Sequence, residues 1–140
     1  MRSHVPLLAT LGLISATPLR AARAQADSPR AALDTYLTGI KRGDLRLVLS
    51  IYYFGDRRPD FHLPGPIPLE EYRVLKETVL DSAAAKRWND KGIVPAAVPG
   101  DVELEVEERI SGRSQRFAYS LRRIDGHWRI YAHSAWDAPH

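Results

Sequence analysis

Two tight turns near the C-terminal end of the chain constrain its fold more than any other feature. Ser111-Gly112 and Asp125-Gly126 each separate two runs of alternating apolar and polar residues. A two-residue hairpin turn of this kind needs positive φ at both central positions, and Asp-Gly is a strong signal for it. Placing the second turn at Asp125-Gly126 pairs Ile124 with His127. Counting outward sets Leu121 against Ile130, Tyr119 against Ala132 and Phe117 against Ser134. Placing the first turn at Ser111-Gly112 pairs Ile110 with Arg113, and then Val106 with Phe117, Leu104 with Tyr119 and Val102 with Leu121.

The two counts are independent, yet they put the same residues of the middle strand on the apolar side. One face of the predicted meander carries Val102, Leu104, Val106, Phe117, Tyr119, Leu121, Trp128, Ile130, Ala132 and Trp136. The other carries Asp101, Glu103, Glu105, Glu107, Arg116, Arg122, Arg129, Tyr131 and His133. A slip of one residue would bury the charged set, so the register is tightly specified. Opposite charges meet across strands at Glu107–Arg116 and Asp101–Arg122. Arg122 against Arg129 is the one unfavourable pair.

Upstream, Ser28-Pro29 reads as the cap and first residue of a helix. Its apolar stripe is Ala32, Leu33, Tyr36, Leu37 and Ile40. Gly43 ends it, and Asp44 caps a short second helix with Leu45, Val48, Leu49 and Tyr52 on one side. Residues 55–68 contain Pro59, Pro64, Pro66 and Pro68 and read as an irregular connection. Either Ile51–Phe54 or Phe61–Leu63 could add a short edge strand. From Leu69 to Trp88 a stripe of Leu69, Tyr72, Leu75, Val79, Leu80, Ala83, Ala84 and Trp88 predicts a third, longer helix, closed by Lys91-Gly92. The expected architecture is α+β: an N-terminal helical hairpin and a longer third helix packed on an antiparallel sheet that ends in a three-stranded meander.

The first residues, Met1-Arg2-Ser3-His4, the apolar run Val5–Ala16 and the small-x-small sites Ala22-Arg23-Ala24 and Ala24-Gln25-Ala26 have the pattern of a secretory signal peptide. The expectation is a leader over residues 1–26, cut after Ala26, and a single domain over residues 27–140 in the periplasm or outside the cell. The apolar run is shorter than the roughly 20 residues that span a bilayer, so no stable membrane insertion is expected after cleavage. The formal net charge of +3 comes from Arg2, Arg20 and Arg23 of that segment; without them the basic residues number 17, as the acidic ones do. A neutral domain gives no basis for nucleic-acid binding. With no cysteine there is no disulfide framework and no thiolate chemistry. No sequence motif calls for a metal or other cofactor.

Both ends of residues 27–140 resemble the nuclear transport factor 2-like superfamily. Ser28-Pro29 through Gly43-Asp44 is similar to its opening helix, and Arg122-Arg123-Ile-Asp-Gly-His-Trp-Arg-Ile-Tyr-Ala-His133 is similar to its last hairpin. The resemblance implies a cone, a curved cystatin-like sheet wrapped around helices, with a pocket between them. It also implies a homodimer through the outer sheet face. The superfamily holds isomerases, dehydratases and hydrolases beside non-catalytic binding domains, so fold alone does not settle activity.

Tyr36, Tyr72, Trp88, Phe117, Tyr119, Trp128 and Trp136 are the large residues expected along the pocket or filling the core, with Ser134 and the Tyr119 hydroxyl as inward polar groups. Glu108 continues the apolar face at the strand's end. There it is either solvated beside the turn or, if desolvated, a general base with Tyr119 as hydrogen-bond donor. Glu105 and His133 flank Ala118 on the outer face, without a second ligand at fixed spacing that would mark a metal site. Two functions follow as expectations. One is an exported, non-catalytic domain that binds a small apolar ligand or a protein partner. The other is a cofactor-independent isomerase, lyase or hydrolase using Glu108 and Tyr119.

Overall fold

The computed structural model describes residues 24–56, 63, 65–92 and 95–135. Helix α1 (Pro29–Arg42) starts where the capping chemistry places it: the Ser28 side chain accepts the Ala31 N–H at 3.1 Å. It ends at Gly43, whose φ of 66° lets the chain reverse, and Asp44 N–H returns to the Gly39 carbonyl at 2.9 Å. Asp44 then caps α2 (Leu45–Ile51) through the Leu47 N–H. The two helices cross closely at Gly39, where an added Cβ would lie 2.8 Å from Val48 Cγ2.

The sheet has the order β1-β2-β3-β4 and is antiparallel throughout. Its strands are β1 (Leu69–Val79), β2 (Val102–Ile110), β3 (Arg113–Ile124) and β4 (His127–Ala135), and a third helix, α3 (Ser82–Asp90), stands between β1 and β2. The fold is therefore α+β, with the helical hairpin and the closing meander in the expected order. Ser111 and Asp125 both take positive φ, 50° and 52°, followed by Gly112 and Gly126 at 75° and 81°. Both turns thus have the backbone that the hairpin argument requires. The β2–β3 register matches the count from the first turn along its whole length.

Two expectations change. Residues 69–79 are a strand, and the third helix begins only at Ser82, with Asp81 accepting the Ala84 N–H. The helix-like spacing of Leu69, Tyr72 and Leu75 comes from two bulges in β1, at Leu69/Glu71 and Val74/Lys76, which break the two-residue alternation of a strand. Pairing with β2 outweighs helix propensity, since a helix here would leave the N–H and C=O groups of that edge open. The second change is in β4. Pairing follows the predicted register from Ile124 to Leu121, then shifts by one residue between Ser120 and Leu121. Beyond that bulge Ser120 faces Ala132, Tyr119 faces His133 and Phe117 faces Ala135. Every side chain of β4 past Tyr131 therefore changes face.

The main core lies between the helical hairpin and the concave side of the sheet. Leu33, Leu37, Val48 and Ile51 pack there against Leu104, Val106, Leu121 and Ile130, all essentially free of solvent. A smaller cluster of Leu80, Ala85 and Ala97, joined by Trp88, holds α3 and its connector. The open edge of β4 is covered by backbone from elsewhere: Trp128 N–H donates to the Ala26 carbonyl at 2.9 Å, and Tyr53 N–H donates to the Ile130 carbonyl at 2.7 Å. Tyr52 forms an isolated parallel bridge to Ile130, so the segment after α2 does lie along that edge. The alternative segment, Phe61–Leu63, falls mostly outside the described residues.

On the convex side Asp101 is 2% exposed and gathers four donors. These are Arg122 Nε at 3.0 Å, Arg122 Nη2 at 2.8 Å, the Tyr131 hydroxyl at 2.7 Å and Val98 N–H at 3.0 Å. The arrangement explains how Arg122 sits opposite Arg129. The first turns to Asp101, while the second donates to the carbonyls of Ala24 and Trp128. Glu107 and Arg116 are opposite as expected, but their ion pairs run sideways, to Arg73 and Glu105. Replacing Asp101 with Ala strands a mostly buried guanidinium and a buried hydroxyl. The expected loss in urea unfolding is about 3–5 kcal/mol, against a smaller loss for Asp101→Asn; a loss near the 0.5 kcal/mol typical of surface changes would contradict the role given to this network.

Candidate functional site

Glu108 is a buried carboxyl-bearing residue on the concave face. It pairs with Tyr72 on one side and Gln115 on the other, and it shares its face with Val106. Strand alternation therefore continues through the end of β2 and carries the carboxyl inward, to 4% exposure. Its Oε2 accepts the Tyr119 hydroxyl at 2.7 Å. Burial pushes the Glu108 carboxyl above its ordinary range, and the hydrogen bond from Tyr119 offsets part of that rise. The Tyr119 phenol is pushed up by burial first, then by the neighbouring carboxylate and its hydrogen bond.

A shell of rings surrounds this pair. Tyr36, from the middle of α1, meets Tyr119 edge-on with centroids 5.7 Å apart, and Phe117 lies 6.4 Å from the same ring. His133 stacks on Tyr119 at 5.7 Å with 19° between planes. It also lies 5.7 Å from Tyr36 and 5.9 Å from Tyr52. The Tyr52 hydroxyl is 3.1 Å from His133 Nδ1, and Phe54 packs on Tyr52 at 4.9 Å. The outer edge of His133 stays exposed while the tyrosines strip water from the ring, and this desolvation holds the imidazole below its ordinary value. The cluster thus runs from a buried carboxyl to an imidazole at the surface.

Of the residues singled out in the sequence, Tyr36, Phe117, Tyr119 and Glu108 come together here. Tyr72 sits beside Glu108 in register, but its hydroxyl donates to Asp34 Oδ1 at 2.8 Å, and burial and that bond push it up to about 12. Its ring lines a separate groove of about 280 Å³ between α1 and β1. Trp88 is on the convex side, in a groove of about 260 Å³ under α3. Trp128 packs on the core beside the N-terminal segment. Ser134 pairs with Ala118 and is exposed, so the bulge places it on the face away from Tyr119. Trp136 lies outside the described residues.

Three members of the cluster lie outside the expected set, Tyr52, Phe54 and His133. The expected α2 stripe includes Tyr52, but the helix ends at Ile51 and Tyr52 is extended, bridging to Ile130, which turns its ring toward His133 with Phe54 behind it. Unbroken alternation puts His133 on the convex face opposite Ala118, and the bulge brings it opposite Tyr119 instead.

Comparison with protein-family models, curated proteins and solved structures finds no match.

The chemistry of the site therefore rests on its own geometry. It joins a hydrogen-bonded carboxyl held toward its neutral form, an imidazole held toward its neutral form, and apolar ring faces between them. Such a set can exchange a proton with a bound group and can hold an apolar body with one polar group. Among the described residues no group of three or more His, Asp or Glu side chains is arranged to hold a metal ion.

The raised carboxyl also sets the sign of a stability effect. A carboxyl whose folded pKa exceeds its unfolded value binds more protons when folded, so stability falls as pH rises from the ordinary carboxylate range through the folded pKa. Glu108→Gln removes that slope. Melting curves taken at increasing pH should show the variant gaining on the parent chain across this window, and a difference that stays flat with pH would contradict the burial of an ionisable Glu108. His133 acts oppositely, since a depressed imidazole costs stability as pH falls below about 6.5. The Gln variant leaves that contribution in both curves.

Proposed function

We propose that this chain is an exported domain of the nuclear transport factor 2-like type that binds a small, largely apolar molecule on its concave sheet face. The observation that carries the reading is the buried Glu108 carboxyl, hydrogen-bonded by Tyr119 at 2.7 Å inside a shell of aromatic rings. An apolar residue of similar size would fill this place without the cost of desolvating an ionisable group. Keeping a carboxyl there makes sense if it meets a polar group of a ligand. Phe117 and Tyr52 are half-buried and His133 reaches solvent, so the ring cluster is approached from the surface at that end. The rings would take the apolar body, and Glu108 and His133 would orient its polar end.

A helical hairpin packed on an antiparallel sheet that ends in a meander supports the family reading. No helix among the described residues is long and apolar enough to cross a membrane. A homodimer through the convex face would have to use the strip of Arg73, Glu107 and Arg116, because the connector around Asp101 occupies the Arg122 end.

A second reading, a cofactor-independent isomerase, lyase or hydrolase, is favoured by one specific feature. A carboxyl whose pKa burial raises, beside a tyrosine hydroxyl, is suited to carry a proton. In that reading Glu108 moves the proton and Tyr119 positions it.

Native mass spectrometry of protein purified from its own compartment tests the binding reading and reports subunit number together. The expected spectrum contains a small-molecule adduct that is lost in Glu108→Gln while the variant stays folded. Adduct-free spectra of the parent chain, from its own compartment and after incubation with apolar carboxylates, ketones and amines, would contradict it. Recovery of a chemically altered adduct by the parent chain alone would select the enzymatic reading.

A further inference from the structure

We propose that processing separates Ala24 from Gln25 and leaves Ala26 on the mature protein. The proposal rests on the exported reading and goes beyond it. The sequence offers two small-x-small sites, Ala22-Arg23-Ala24 and Ala24-Gln25-Ala26, and the later one at first sight adjoins the helix start more neatly. The fold speaks against it. Ala26 is 4% exposed and belongs to the main core, together with Leu33, Leu121 and Ile130. Its carbonyl accepts the Trp128 N–H at 2.9 Å. A cut after Ala26 would remove a buried methyl group and leave that strand N–H without its acceptor. It would also uncover the start of the β4 edge, which Ala26 and Tyr53 together shield from pairing with other chains.

Electrostatics points the same way. A cut after Ala26 makes Asp27 the terminal residue and sets a new ammonium one residue before the Ser28 cap. That is the positive end of α1, where a cation is unfavourable. A cut after Ala24 moves the ammonium two residues away and keeps both the Ala26 contacts and the cap. It gives up the partial packing of Ala24 on the core and its two bonds, the N–H to the Ser50 carbonyl at 3.3 Å and the carbonyl that accepts from buried Arg129. Arg129 retains the Trp128 carbonyl at 3.2 Å. The step is an ordinary amide hydrolysis by a leader peptidase. Water adds across the Ala24–Gln25 bond, Ala24 leaves with the new carboxyl group, and Gln25 keeps the α-amine.

The test is the intact mass of the exported product when the full chain, with its own leader, is made in a bacterial host and recovered from the periplasm. A product beginning at Gln25, as free glutamine or its cyclised form, is expected. A product beginning at Asp27 would overturn the proposal and leave the exported reading standing. A chain that keeps Met1 and stays in the cytoplasm would overturn both. Ala22→Arg spoils the small residue three positions before the proposed cut and leaves Ala24-Gln25-Ala26 intact. Precursor should therefore accumulate in this variant, and undiminished release of the same product would also overturn the proposal.

Discussion

One extra residue in the last strand decides what the concave face contains. The two turns at Ser111-Gly112 and Asp125-Gly126 hold β2, β3 and the start of β4 in a single register. Without interruption that register would send His133 to the convex side. The bulge opposite Ser120 and Leu121 turns it inward, onto the ring of Tyr119. A surface histidine thereby becomes the outer member of a group whose inner member is the buried Glu108 carboxyl. Bulges re-aim side chains next to sites in many sheets; here one does so while Tyr131, at the bulge, sends its hydroxyl to Asp101.

That link ties the two sides of the sheet together. Asp101 receives Arg122 and Tyr131, and the Ala96 carbonyl accepts the same guanidinium at 2.6 Å. The connector from α3 is thus fastened across β3 and β4 on the convex side. On the concave side Tyr36 of α1 packs on Tyr119 and His133. The backbone around the bulge is therefore gripped from both faces, and the site geometry depends on the buried ion pair as well as on the helical hairpin.

Much of this was legible in the residues. Both turns, the full β2–β3 register, the caps at Ser28 and Asp44 and the reversal at Gly43 follow from local chemistry that tertiary contacts do not overrule. Glu108 and Tyr119 could be named because alternation places them on one face. Their mutual hydrogen bond could not, since it depends on how far the side chains lean along their strands. The strand at Leu69–Val79 has helical spacing in sequence because its bulges break the two-residue alternation, and only the presence of β2 beside it decides the matter. His133 was misplaced for a related reason. A bulge adds a residue without leaving a compositional mark, and it reverses the face of everything beyond it. Trp88 and Ser134 were assigned to the concave side by the same unbroken periodicities and lie elsewhere.

The most direct test of this account is the set of nuclear Overhauser contacts from the His133 ring in solution. The bulged register predicts cross-peaks from its ring protons to the ring protons of Tyr119, Tyr36 and Tyr52. Cross-peaks to Ala118 and the side chain of Glu105, with none to Tyr119, would show β4 running without the bulge. That result would remove His133 from the site and with it the proposed path from solvent to Glu108.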